Sequence, residues 1–587
     1  MPLSNSAKAA AAASVAALVA LVLRYRRLYY IRHHTEWWRL SAVEVVAALR
    51  AGQVTPRILV EQALARIHQT NGQTHAIVTV CAERALACAD EVGGAGSRAP
   101  LYGLPVAIKD NQRLKGVRCT SGTPKNALCI PEASDPPVAA LEAGGAIIIG
   151  TTNLPEAAGG SHTFGPLFPT ASNPFDLGLT VGGSSGGSAA ALATGTVWLA
   201  SGTDLGGSLR NPPAYNGVVG IRPVPGRVGT SPAVATHWRG RWGIGLHSVS
   251  GPMGRTVADA ALMLDVMSTS CGVGWEPSAV PTPPPPPEGG FLGCVQAALS
   301  NSAEGVALTP KTIAWSADLG GVMRGVQPEI IEGVRRAAQM LAEATGATVE
   351  EATPAGLERS ESVFRTLRYS RMLDNVAGGP GPAAKQWAKD WMPLTKPEAV
   401  AEIIQATQSG FASRVAEAEH ARQAIEGSWL EFMSRYDVVL LPSTSLLPFP
   451  KDLRYPWKIG EVEFDDFIGW MLPCSAISIL PLPCCSVPIG LSADGLPLAV
   501  QMVGQPNGEG ALLAAAALLE RAVAASNNPS PKVPIDPTPS PKPPRGTCCS
   551  GPYTVEEAAS HHRVPVTGSP DVVVEYLKSV GFQGMIT

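Results

Sequence analysis

The sequence predicts an α/β protein: one large core built on a mixed, twisted β-sheet with helices on both faces. Three observations carry this expectation. Short apolar, β-like runs alternate with helical stretches between about Pro56 and Ala522. Hydrophobic residues make up 45% of the 587 positions and charged residues only 16%, enough apolar surface to close an extensive core. The prolines are densest in two segments, 277–290 and 527–547, outside which the helical and strand-like runs are expected.

The elements follow in order. Ser41-Ala-Val-Glu44 has the form of a capping box and opens a helix. A second helix is expected over Pro56 to Thr70, with Leu59, Ala63 and Ile67 on one face. Pro105 to Lys109 reads as a strand, Pro137 to Ala143 as a helix and Ala146 to Gly150 as a buried strand. Between Gly182 and Arg222, two Gly/Ser-rich turns flank a short Ala-rich helix and a strand. Helices are expected over Val257 to Ser268, Pro328 to Ala344 and Glu509 to Ala522. Strands are expected over Thr312 to Trp315, Asp437 to Leu441 and Leu498 to Val503. Pro277 to Gly290, with five consecutive prolines, predicts an extended, exposed insertion. Residues 527–547 read as a Pro-rich linker and 548–587 as a C-terminal tail, which leaves 37–526 as the main domain. There are no internal repeats.

Charge and cysteine usage narrow the function. The net charge of −3 lacks the basic excess of a nucleic-acid surface. Eleven scattered cysteines, an odd number without a CxxC pair, read as free thiols. The ten histidines form no HExxH and no Cys/His ligand spacing, so no metal is expected.

The N-terminus, residues 1–36, carries the uncharged run Ala9 to Leu23. Fifteen residues are fewer than the roughly 20 of a spanning helix. Lys8 precedes the run, and Arg24, Arg26, Arg27 and Arg32 follow it, the reverse of a signal peptide's charge order. Tyr25, Tyr29, Tyr30, Trp37 and Trp38 suit an interface. The expectation is an apolar helix acting as a single N-terminal membrane anchor, with the bulk of the chain on the cytosolic side. A soluble leader and a targeting peptide are the rival readings.

Chemistry concentrates between Gly182 and Gly220. A flexible linker is disfavoured because the glycines sit between apolar elements. A phosphate cradle lacks GxxxxGKS/T and GxGxxG. Gly183-Ser-Ser185-Gly-Gly187 matches GxSxG formally, but neither His237, His247 nor His420 sits in a recognisable partner motif. Asp204-Leu-Gly-Gly-Ser208 offers more. The backbone N–H groups of Leu205, Gly206, Gly207 and Ser208 can converge as an oxyanion hole beside a hydroxyl. Without a convincing histidine, the base is expected to be a buried, neutral lysine, and Lys109 ends an apolar strand.

Taken together, Gly103-Leu-Pro-Val-Ala-Ile-Lys-Asp-Asn111, Gly182-Gly-Ser-Ser-Gly-Gly187 and Gly202-Thr-Asp-Leu-Gly-Gly-Ser-Leu-Arg-Asn-Pro212 resemble the amidase signature family. Gly150-Thr-Thr-Asn-Leu-Pro-Glu156, Gly251-Pro-Met-Gly-Arg-Thr-Val-Ala-Asp259 and Leu496-Pro-Leu-Ala-Val-Gln-Met-Val-Gly504 add to the likeness, in order, from about Trp38 to Ala525. The resemblance implies amide hydrolysis through an acyl-enzyme. Ser208 would be the nucleophile, Ser184 the proton relay and Lys109 the base. Ser185, Asp204 and Arg210 would support them. Ser188 stands where some lipid-amide hydrolases carry Glu. The N-terminal run is similar to that of fatty acid amide hydrolases, which favours lipid amides as substrate and a membrane as partner. No cofactor is implied, and homodimerisation is left open. The alternatives are the glutamine-hydrolysing subunit of a tRNA-dependent amidotransferase and a membrane-tethered relative without activity.

Overall fold

The computed structural model describes residues 35–92, 99–231, 248–275, 280–300, 302–377, 386 and 395–540. The apolar run Ala9 to Leu23, His237, His247 and the tail 548–587 lie outside the described residues. Among the described residues no helix is long and apolar enough to cross a membrane.

The described residues form an eleven-stranded mixed sheet. Its strands in chain order are β1 (Ile77–Val80), β2 (Pro105–Lys109), β3 (Ile147–Thr152), β4 (Leu199–Asp204), β5 (Val219–Arg222), β6 (Val249–Gly254), β7 (Thr312–Trp315), β8 (Thr348–Glu351), β9 (Val438–Pro442), β10 (Cys484–Leu491) and β11 (Pro497–Gly504). Across the sheet they run β1-β3-β2-β4-β6-β5-β10-β11-β9-β7-β8. β3, β2 and β4 are mutually parallel, as are β9, β7 and β8. The strands between these two groups pair antiparallel.

The continuous apolar run of β9 has a direct cause. Val438 and Leu440 pack into one apolar cluster, while Val439 and Leu441 pack into another on the opposite face. Helices Pro328–Thr345 and Glu509–Ala524 supply the first cluster, with Val334 and Leu512 among their buried residues. Helices Ser360–Ala377 and Phe411–Met433 supply the second, through Phe364 and Trp429. A strand covered on both faces has no polar side to alternate with.

Local signals account for the element ends. Ser41 and Glu44 form the reciprocal capping box. The helix from Pro56 runs on to Thr74, where His75 takes a left-handed conformation. β3 extends past Gly150 because Thr151 and Thr152 pair with Ile108 and Lys109. The expected linker is an extended strap over residues 527–540. Its backbone is bonded to the body through Ile535 N to Ala193 O (2.8 Å) and Thr538 N to Pro174 O (2.9 Å), and Asp536 pairs with Arg66 (2.8 Å).

Candidate active site

β2 and β4 lie side by side in parallel, with Val106 opposite Leu199 and Ala107 opposite Ala200. Their carboxyl ends therefore reach the same edge of the sheet, Lys109 on one and Thr203-Asp204 on the other. Lys109 is fully buried. Its three ammonium donors meet three hydroxyl oxygens: Ser184 Oγ at 2.7 Å, Ser185 Oγ at 2.9 Å and Thr203 Oγ1 at 3.0 Å. The Ser184 hydroxyl in turn donates to Ser208 Oγ at 2.9 Å. Residues 109, 184 and 208 thus form one hydrogen-bonded chain. Ser184 follows a cis peptide bond after Gly183. The backbone before it is fixed by Thr163 Oγ1 donating to Gly182 O and by Gly183 N donating to Asn211 Oδ1.

Burial lowers the Lys109 amine to about 7, against the opposing charge of Asp204. Near neutral pH a large fraction is therefore unprotonated and able to accept a proton.

Asp204 organises the turn that carries Ser208. Its carboxylate accepts Gly207 N and Leu209 N, both at 2.9 Å, and a two-pronged contact from Arg210 at 2.9 and 3.0 Å. Arg222 adds a contact at 3.4 Å. Burial alone would raise this carboxyl, but Arg210 and Arg222 hold it well below the usual carboxylate range. Arg210 also fastens the turn to distant chain, donating to Cys474 O (2.9 Å), Ser478 Oγ (2.6 Å) and Gln501 Oε1 (2.5 Å). Removing the Asp204 carboxylate would leave two buried guanidiniums uncompensated. Asp204→Ala is therefore expected to destabilise the protein by about 3–5 kcal/mol, read from the midpoint of urea unfolding.

The expected oxyanion hole needs one correction. The Gly207 N–H is taken by Asp204, because a carboxylate at the end of β4 sits under the turn. Gly207 has φ +123°, and a side chain there would collide with Cys474. Among the described residues, the N–H groups of Leu205, Gly206 and Ser208 bond to no acceptor within the chain.

Ser185 contacts Lys109 and donates to Thr203 O at 3.3 Å, but does not reach Ser208 in this arrangement. Of the histidines weighed for GxSxG, His420 is exposed on helix Phe411–Met433. Ser188 donates to Ser201 O at 2.8 Å, a structural contact within the core. Thr203 and Asn211 were not singled out by sequence reasoning, although both fall inside the 202–212 motif. The nine described cysteines are free thiols. Among the described residues no group of His, Cys, Asp and Glu could hold a metal ion.

The hydroxyls of Ser184 and Ser208 open on a cavity of about 430 Å³. Its wall includes Asn111, Lys125, Glu156, Leu205, Arg371 and Met372. Burial pushes the Glu156 carboxyl up to about 7, although it accepts the Lys396 N–H at 2.8 Å.

Comparison with known proteins places this geometry. A family model described as Amidase matches residues 58–513. The chain belongs to the amidase signature family. This amidase is 30% identical over 509 residues to the A subunit of the glutamyl-tRNA(Gln) amidotransferase of Lacticaseibacillus casei (strain BL23), a match spanning 83% of this chain and 97% of that protein. It is 32% identical over 498 residues to the indoleacetamide hydrolase of Bradyrhizobium diazoefficiens, covering 83% and 87% of the two chains. Among solved structures, a bacterial aryl acylamidase of the amidase signature family aligns with a TM-score of 0.71 at 24% identity, over 82% of this chain and 96% of that one. A fatty acid amide hydrolase aligns with a TM-score of 0.66 at 19% identity, over 83% and 86%. These two share the fold. The amidase is an amide-hydrolysing enzyme.

Proposed function

We propose that the amidase cleaves a compact carboxylic amide through Ser208, Ser184 and Lys109. With Lys109 neutral, the hydrogen-bond chain can run from Ser208 to Ser184 to Lys109. Ser208 Oγ attacks the amide carbonyl as its proton passes to Ser184, whose own proton moves to Lys109. The N–H groups of Leu205, Gly206 and Ser208 receive the oxyanion. The proton returns along the same path to the leaving nitrogen, the C–N bond breaks, and an acyl-Ser208 ester remains. Water, deprotonated by the same relay, hydrolyses the ester. The observation that carries this reading is the unbroken 2.7 and 2.9 Å path from Lys109 to Ser208.

A cavity wall with Asn111, Lys125, Glu156 and Arg371 suits a substrate with polar groups better than a long acyl chain. A hydrolysis panel of acetamide, an anilide, indoleacetamide and a long-chain acyl ethanolamide tests this. The highest kcat/KM is expected for a compact amide; turnover confined to the acyl ethanolamide would overturn it. That result would instead favour the fatty acid amide reading, in which residues 1–36 hold the enzyme at a bilayer. Deleting those residues would then release it from membranes.

The identity to the glutamyl-tRNA(Gln) amidotransferase component favours a second reading, glutamine hydrolysis within a larger assembly. Glutaminase activity that requires added partner proteins would distinguish it. The chain Lys109–Ser184–Ser208 argues against a relative without activity.

A further inference from the structure

Residues 280–288 show a pattern that amide hydrolysis does not use. Residues 281–287 belong to no helix, strand or turn, between a bend at Val280 and a turn at Glu288. Its exposure repeats every three residues. Val280 and Pro283 are buried and Pro286 is half-buried, whereas Pro281, Thr282, Pro284, Pro285, Pro287 and Glu288 are exposed. Three residues per turn is the period of a polyproline II helix. One edge of this three-edged rod lies on the protein and the other two face outward.

The rod is fixed along its length. At Gly226 a side chain would come within 2.9 Å of Pro283 Cδ and 3.1 Å of Val280 Cγ1, so the inward edge rests directly on backbone. Arg227, itself held by Glu509 at 3.2 Å, donates to the carbonyl of Pro284. At the far end Gly290 N donates to Pro287 O (2.9 Å). Beyond it, Phe291 N and Leu292 N donate to the Asp265 carboxylate at 2.6 and 3.1 Å, starting helix Gly290–Ser300.

We propose that this rod is a docking site for a protein domain that reads polyproline II through an aromatic-lined groove. Such grooves bind a preformed, low-entropy ligand and take their contacts from the proline rings and the carbonyls between them. Here the ligand conformation is already held by the protein, so little ordering cost remains on binding. The two outward edges place Pro281, Pro284 and Pro287 in one row, with Thr282, Pro285 and Glu288 in the next. Charge narrows the partner further. No Lys or Arg occurs from Thr256 to Pro310, and Glu276 and Glu288 flank the prolines. The cation that meets the rod, Arg227, is buried and paired with Glu509, so the rod's own segment offers no exposed cation for an acidic rim and fits a groove with a basic or neutral one.

The test titrates the full-length protein into purified WW, EVH1 and SH3 domains, with binding read by calorimetry. Micromolar binding to a WW or EVH1 domain is expected. It should weaken by about tenfold or more in Pro284→Ala/Pro285→Ala, which removes two outward rings but keeps the Pro284 carbonyl that Arg227 holds. Hydrolysis of the preferred amide should be unchanged in that variant. Absence of binding to every domain overturns the proposal, whether or not a free peptide of residues 280–289 binds. So does binding that survives the double substitution but is lost on replacing Pro529, Pro531 and Pro534, which would move the site to the C-terminal strap.

Discussion

Replacing Ser208 with Ala is expected to lower kcat/KM by about 10⁴–10⁶-fold, with substrate binding little changed. The hydroxyl sits at the end of the relay, beside three uncommitted N–H groups and at the cavity wall. No other described hydroxyl combines these positions: Ser184 is one step back, and Ser185 contacts Lys109 and Thr203 instead. The same substitution should abolish labelling by a fluorophosphonate probe, read by intact-protein mass spectrometry. Labelling that persists would move the nucleophile elsewhere. Ser185→Ala should cost much less and leave labelling intact.

Lys109→Ala is expected to lower the rate by about 10²–10⁴-fold, the range of a lost general base. Lys109→Arg should fare no better, since a guanidinium stays protonated. The pH profile separates proton transfer from mere packing. Only the neutral amine can accept the Ser184 proton, and burial sets Lys109 at about 7. Wild-type kcat/KM should therefore fall as pH drops below about 7, with roughly 1% of the amine neutral two units lower. Glu156, also pushed up to about 7 by burial, lines the same cavity. Glu156→Gln should keep the acid limb and Lys109→Ala should lose it. The reverse result would remove Lys109 from the role of base.

Sequence pattern and structure agree where a run of apolar side chains marks a strand and part ways where none does. β2 and β7 coincide with their expected bounds because each is a short run ended by a clear break. β8 escaped notice because all four of its residues are exposed at the sheet edge, leaving no apolar signal. β6, Val-Ser-Gly-Pro-Met-Gly, has the composition of a turn. It is a strand because β4 pairs with it along its full length. The site divides the same way. Lys109, Ser184 and Ser208 stand out as unusual residues in unusual places, a lysine closing an apolar strand and serines among glycines. The partners of Arg210 at Cys474, Ser478 and Gln501 lie 264–291 positions further along, where no local pattern announces them. The commitment of the Gly207 N–H to Asp204 was equally hidden, since it depends on the direction in which one peptide unit turns.

The reach of Arg210 also bears on synthesis. Base, relay and nucleophile all emerge from the ribosome within the first 208 residues, yet the turn bearing the nucleophile is moored to Cys474, Ser478 and Gln501, the last of which appears only with β11. A nascent chain stopped at 490 carries every group needed for chemistry but leaves the Arg210 guanidinium without its Gln501 mooring. The full mooring of the nucleophile's turn is therefore complete only when the last strand enters the sheet.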